Sequence, residues 1–136
     1  MMDSEELYKK LKSYFPHNLD LMRHLNVNAC WEYYITENSL DDENPKLIYY
    51  LYKKDKTTLE MVKENPGIKP DLILYFTENA ILNLINEYPN ADDYYVHYRK
   101  LMYNPRSRIQ VDNKINKPRL KLLKLGYQKW QRDFKF

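Results

Sequence analysis

A chain of 136 residues carrying 22 Lys and Arg against 19 Asp and Glu, with one cysteine and two glycines, is long enough to bury a core without disulfides or metal and is expected to form a single domain over residues 1–136. Two glycines leave no room for a phosphate-cradling glycine loop, and no run approaches the ~20 apolar residues that span a bilayer. The opening Met1-Met2-Asp3-Ser4-Glu5-Glu6 is acidic with no apolar stretch after it, which predicts a cytoplasmic protein without a signal peptide and makes lone Cys30 a small buried residue in a reduced compartment.

Residues 3–14 are predicted to form a first helix, with Leu7, Leu11, Tyr14 and Phe15 on one side and Lys9, Lys10 and Lys12 elsewhere, closed by Pro16. A second short helix is expected over 18–25, using Leu21, Met22 and Leu25. Residues 29–36 alternate Trp31, Tyr33 and Ile35 with Cys30, Glu32 and Tyr34, the period of a strand. The polar stretch 37–45 holds Glu37, Asp41, Asp42 and Glu43 but lacks the ligand spacing and central glycine of a calcium loop, so it reads as a solvated turn. Two alternating runs, 46–53 and 57–64, predict a hairpin across Lys54-Asp55-Lys56, and Asn65-Pro66-Gly67 marks the next turn.

The chain's densest apolar unit is 70–87. Residues 71–76 form its strand, bulky enough to be expected under cover on both faces. Thr77 is the predicted N-cap of a helix in which Ile81, Leu82 and Ile85 share a face, ending before Tyr88-Pro89. Asn90 or Asp92 caps a third main helix with Tyr94, Tyr98, Leu101 and Met102 together, ended by Asn104-Pro105. Alternation within 106–113 predicts an edge or last strand. Residues 117–134 read as one continuous amphipathic helix: Leu120, Leu123, Tyr127, Trp130 and Phe134 follow a 3-4-3-4 spacing, with Lys121, Lys124, Lys129 and Arg132 on the other faces. Four strands in succession without a helix between them argue for an antiparallel or meandering sheet rather than a βαβ nucleotide fold.

Charge is uneven along the chain. Residues 99–136 hold twelve basic side chains against Asp112 and Asp133, a surplus of ten, so with the whole chain at +3 the first 98 residues carry −7. Such asymmetry hints at an anionic partner for the C-terminal third, nucleic acid or a lipid surface, while the plainer reading is a solvated helix face and an internally complementary dipole. His17 and His24 lie seven residues apart without a third ligand at close spacing, and His97 sits beside an apolar face. No nucleophile turn or metal box accompanies them, so no catalytic residue, metal or cofactor is expected and the chain is read as a non-enzyme.

The strand Asp71-Leu72-Ile73-Leu74-Tyr75-Phe76, its capping Thr77 and the apolar Ile81-Leu82-Asn83-Leu84-Ile85, followed by Arg108-Ile109-Gln110-Val111-Asp112-Asn113 and the helix at 120–125, resemble the sterol carrier protein type 2 lipid-binding domain family over roughly residues 5–130. The aromatic strand from Trp31 to Ile35 resembles its first strand. The resemblance implies an α+β fold: a single mixed, largely antiparallel sheet of about five strands, helices packed over one face, and an apolar cavity between them for a fatty acyl chain, sterol or isoprenoid. It does not imply catalysis.

On that reading Leu72, Leu74 and Phe76 line the cavity from the strand; Ile81, Leu82 and Ile85 close one wall, Tyr98 and Met102 another, and Leu123 and Tyr127 form a lid. Each is equally a packed core residue by pattern alone. The expected partner is an apolar small molecule or lipid, with the basic C-terminal helix face meeting an anionic membrane surface. The competing readings are nucleic-acid binding, with Tyr94, Tyr95, Tyr103 or Trp130 stacking on bases, and a protein-interaction domain without a small ligand. A monomer or a homodimer satisfies any of these.

Overall fold

The computed structural model describes residues 2–104 and 110–135. Helix α1 (Ser4–Lys12) begins where Asp3 accepts a hydrogen bond from the Glu6 amide at 2.8 Å, with Glu5 and Glu6 in its first turn and Lys9, Lys10 and Lys12 in its last. Both charge placements suit the helix dipole. It stops short of Tyr14, because the Ser13 hydroxyl turns back to donate to the Lys10 carbonyl at 2.6 Å.

The short helix expected over 18–25 is instead a pair of 3-10 turns, Phe15–His17 and Leu19–Met22. Its carbonyls are diverted: the Lys53 ammonium donates to Met22 O at 3.1 Å and to Leu25 O at 2.8 Å. Lys53 points inward from a strand and is 6% exposed. Burial pushes its pKa down.

Five strands follow: β1 (Cys30–Thr36), β2 (Leu47–Asp55), β3 (Thr58–Val62), β4 (Leu72–Thr77) and β5 (Val111–Ile115), in the spatial order β3-β2-β1-β4-β5. Only the central β1/β4 pair is parallel. The hairpin turns one residue later than its sequence suggests, since the Asp55 carboxylate accepts from the Thr57 amide at 2.9 Å and the register shifts between Lys53 and Asp55. Residues 105–109 lie outside the described residues, so of the strand expected over 106–113 only its end, from Val111, is seen in β5.

Between β4 and β5 lie α2 (Glu78–Glu87) and α3 (Ala91–Tyr103), and after β5 come α4 (Arg119–Leu125) and α5 (Tyr127–Phe134). Thr77 ends β4 and caps α2 in one residue, its hydroxyl accepting from the Ala80 amide at 3.3 Å. Asn90, rather than Asp92, caps α3, accepting from the Asp93 amide at 2.8 Å.

The protein is therefore α+β, with one open mixed sheet and five α-helices among the described residues. One sheet face presents Trp31, Tyr33, Ile35, Tyr49, Leu51, Met61, Leu74 and Phe76 to the helices, all buried. Its other face carries Glu32, Tyr34, Tyr50, Ile73 and Tyr75, all only half-buried. Cover on both faces of β4 is thus corrected to one: Ile73 and Tyr75 are shielded by neighbours such as Tyr34, whose ring meets that of Tyr75 edge-on at 5.3 Å.

The long C-terminal helix is also corrected. Gly126 breaks it into α4 and α5, with φ +98, a left-handed conformation that suits glycine. A side-chain carbon at this position would run into the His24 carbonyl. Asn26 completes the break, donating from its amide to Leu125 O at 2.8 Å and from Nδ2 to Lys124 O at 2.7 Å. No described helix is long and apolar enough to cross a membrane.

Candidate functional site

Residues paired across neighbouring strands point to the same face, so the register of the sheet places side chains in rows. Trp31, Leu72 and Ile115 form one row across β1, β4 and β5; Tyr33, Leu74 and Asn113 form a second; Ile35, Phe76 and Val111 form a third. Because α2 starts directly after β4, it packs over the third row, and there Phe76 and Val111 are fully or nearly buried. Over the first two rows the helices stand back. A pocket of about 640 Å³ opens there.

The walls come from three further elements. From α3 descend Tyr94, Tyr95, Tyr98 and Tyr103; from α4, Arg119, Leu122 and Leu123; from α5, Tyr127, Gln128, Trp130 and Gln131. Helix α4 has no buried side chain. Leu122 and Leu125 rest half-buried against the core, and the other side chains of the helix are exposed, Arg119 and Leu123 at the pocket's edge.

A wall so rich in tyrosine and tryptophan stays largely apolar where its polar tips are bonded to the protein, as they are at Tyr95, Tyr98, Tyr127 and both tryptophans. Tyr95 donates to Leu21 O at 2.8 Å, and Trp130 Nε1 lies 3.2 Å from that same carbonyl and 3.3 Å from the Tyr95 oxygen. Asn113 Nδ2 donates to the Tyr98 oxygen at 3.2 Å. Burial pushes the Tyr94, Tyr95 and Tyr98 hydroxyls upward in pKa, Tyr98 to about 12, so all three stay neutral at ordinary pH. Ring faces and edges share the lining with the apolar Leu72, Leu74, Ile115, Leu122 and Leu123 and with the polar Asn113, Arg119, Gln128 and Gln131.

One end of the pocket is closed by a buried polar chain. Trp31 Nε1 donates to the Tyr127 oxygen at 2.8 Å, and the Tyr127 hydroxyl donates to Asp71 Oδ2 at 2.6 Å. That same oxygen accepts from the Cys30 amide at 3.0 Å, while Oδ1 pairs with the Lys117 ammonium. Asp71 is wholly buried, and the Lys117 side chain is 14% exposed. A carboxylate out of water needs such partners on each oxygen. The Cys30 thiol beside it is pushed up to about 12, first by burial and then by the Asp71 charge, which leaves it a poor nucleophile.

Of the side chains expected at a cavity, the structure brings Leu72, Leu74, Tyr98, Leu123 and Tyr127 together around this pocket. Phe76, Ile81 and Ile85 lie elsewhere, buried where α2 covers the third row, and Leu82 and Met102 are half-buried against the core outside the pocket. The Phe76 ring meets Tyr98 at 5.7 Å, and this contact divides packed core from open space. Sequence reading missed Trp31, Leu122 and Arg119 as lining residues and missed the Asp71–Lys117 pair altogether. The available signal was a lone aspartate opening an otherwise apolar strand.

Tyr94, Tyr95 and Trp130, the rings considered for base stacking, are buried in the walls; Tyr103 is exposed. His24 Nε2 lies 2.8 Å from Asp133, and His97 stacks on Tyr88 at 3.6 Å, so neither faces the pocket. Among the described residues no group of three or more His, Cys, Asp or Glu side chains is arranged to hold a metal. No family model matches the chain, and no curated protein matches it.

Proposed function

We propose that the protein binds an apolar or amphiphilic small molecule, of the fatty acyl, sterol-like or isoprenoid class, in the pocket between the sheet and α3–α5, as a non-enzymatic carrier of the sterol carrier protein type 2 kind. The observation that carries this reading is a space of about 640 Å³ lined mainly by aromatic and aliphatic side chains, in which the hydroxyls of Tyr95, Tyr98 and Tyr127 and both indole N–H groups are hydrogen-bonded within the protein. Its size falls within the ~300–1,000 Å³ range of small-molecule sites. The mixed sheet with helices over one face is the arrangement that the family resemblance implies, which supports the same reading.

Both tryptophans of the chain line the pocket, so a guest reports on itself. Delipidated protein titrated with a fluorescent fatty acyl probe, then with an isoprenoid probe, is expected to show saturable energy transfer from Trp31 and Trp130. Unlabelled lipid should reverse it. No saturable transfer from either probe overturns the reading, as does binding that survives Leu74→Trp, a change that fills the pocket floor.

A further inference from the structure

We propose that α4 and the adjoining end of β5 form a docking surface for an anionic lipid bilayer, setting the pocket's mouth against the membrane; the proposal rests on reading the pocket as a lipid site. Its starting point is where the exposed apolar surface lies. Among the described residues the most exposed large hydrophobic side chains are Leu120 (74%), Tyr103 (71%), Ile115 (60%) and Leu123 (41%). Tyr103, Ile115 and Leu123 all line the pocket, and Leu120 lies one turn before Leu123 on the same helix. Apolar surface gathered at one opening is a contact surface, whereas single exposed leucines scattered over a protein mean little.

The chemistry of the partner follows from what flanks those side chains. At 3.6 residues per turn, Arg119, Leu123, Leu120 and Lys124 follow one another around the outer side of α4. All four are exposed. Two leucines thus stand between two cations whose long stems can lie along apolar surface while their heads reach phosphate. Lys121 adds a third exposed cation to the helix. Between Asp112 and Asp133 the sequence has no carboxylate; Asp133 is taken up by Arg23 and His24, and Lys117 by Asp71. An anionic bilayer satisfies both halves of the pattern, giving Leu120 and Leu123 an apolar medium and the cations a negative surface. Nucleic acid offers phosphates but nothing for the leucines.

The geometry also has a use. A lipid leaving the membrane through a mouth already seated on it crosses little water. No side chain of α4 is buried, so the helix meets the interface without exposing core.

Flotation of the delipidated full chain with vesicles tests this, using phosphatidylcholine alone and phosphatidylcholine mixed with phosphatidylserine. Strong partition onto the anionic vesicles, weakening with salt, and little onto the neutral ones is expected. Leu120→Ser should lower anionic partition about tenfold, and Lys124→Gln about fivefold. Neither residue lines the pocket, so both variants should keep wild-type affinity for the acyl probe in solution. The docking proposal is overturned if the wild type fails to float with anionic vesicles, if Leu120→Ser floats as well as wild type, or if a single-stranded oligonucleotide competes the protein off the vesicles. Saturable probe binding with no flotation removes docking alone. Flotation that obeys both variants in a protein that binds no probe supports docking and removes the pocket reading instead.

Discussion

The hydroxyl of Tyr127 donates to the buried carboxylate of Asp71 at 2.6 Å, across 56 residues of sequence. This bond holds the start of α5 against the start of β4 and so fixes the closed end of the pocket. Because the Tyr127 oxygen also accepts from Trp31 Nε1, one phenol satisfies an indole and a carboxylate at once. Tyr127→Phe leaves both short of a partner, and a loss of about 1–3 kcal/mol in urea unfolding is expected. A loss no larger than that of an exposed surface substitution would mean that the chain of bonds is idle.

The other Asp71 oxygen pairs with Lys117, whose side chain is 14% exposed. Removing one member of a buried pair strands the other's charge, so Lys117→Met should cost about 3 kcal/mol, at the lower edge of the range for such pairs because Asp71 keeps its two other donors. Adding Asp71→Asn removes the stranded charge and should recover part of that loss. A double variant less stable than wild type by the full sum of the two single losses would show the pair to be uncoupled.

Tyr49 presents the opposite case. Its ring stacks on Tyr33 at 4.5 Å, yet its buried hydroxyl has no hydrogen-bond partner among the described residues. A hydroxyl out of water and unpaired costs more than a missing one. Tyr49→Phe keeps the stacked ring and should raise stability by about 1 kcal/mol. A loss of similar size would place an unseen partner at that oxygen.

How much of this was legible in sequence depends on the distance over which each signal acts. Thr77 as a cap and the alternation of β1, β2 and β4 are local patterns, readable from neighbours. The placement of Ile81 and Ile85 in packed core and not at the pocket was not, because it follows from α2, which carries them, covering the third row of the sheet. The break at Gly126 was hidden for a related reason: Leu120, Leu123, Tyr127 and Trp130 keep helical spacing across it, while its cause, Asn26 and the His24 carbonyl, lies some 100 residues earlier. Helix spacing alone therefore placed Leu120 on the same apolar face as Tyr127 and Trp130, and it is among the most exposed residues.

The same glycine gives a prediction. Gly126→Ala forces a left-handed backbone on a residue with a side chain and drives its methyl group into His24, so a loss of at least ~2 kcal/mol is expected in thermal or urea unfolding. If α4 and α5 instead fused into one helix without penalty, stability would hold and circular dichroism would show a gain in helix.

The last prediction concerns acid. Asp133 on α5 accepts from Arg23 Nε at 3.0 Å and lies 2.8 Å from His24 Nε2, and these bonds, Arg23 first, hold its carboxyl below the ordinary range. A group whose pKa is lower in the folded state stabilises the protein above its unfolded value, near pH 4. That contribution fades as pH falls through the folded value. Asp133→Asn should therefore be less stable than wild type at neutral pH, with the difference closing below about pH 4. Asp42 and Asp55, also lowered by hydrogen bonds from nearby loop amides, keep some acid sensitivity in the variant. Urea midpoints measured from neutral pH downward decide it: a gap between the two proteins that persists unchanged at low pH would place the effect in packing around Phe134, over whose ring the Arg23 guanidinium sits at 4.6 Å, and not in the Asp133 charge.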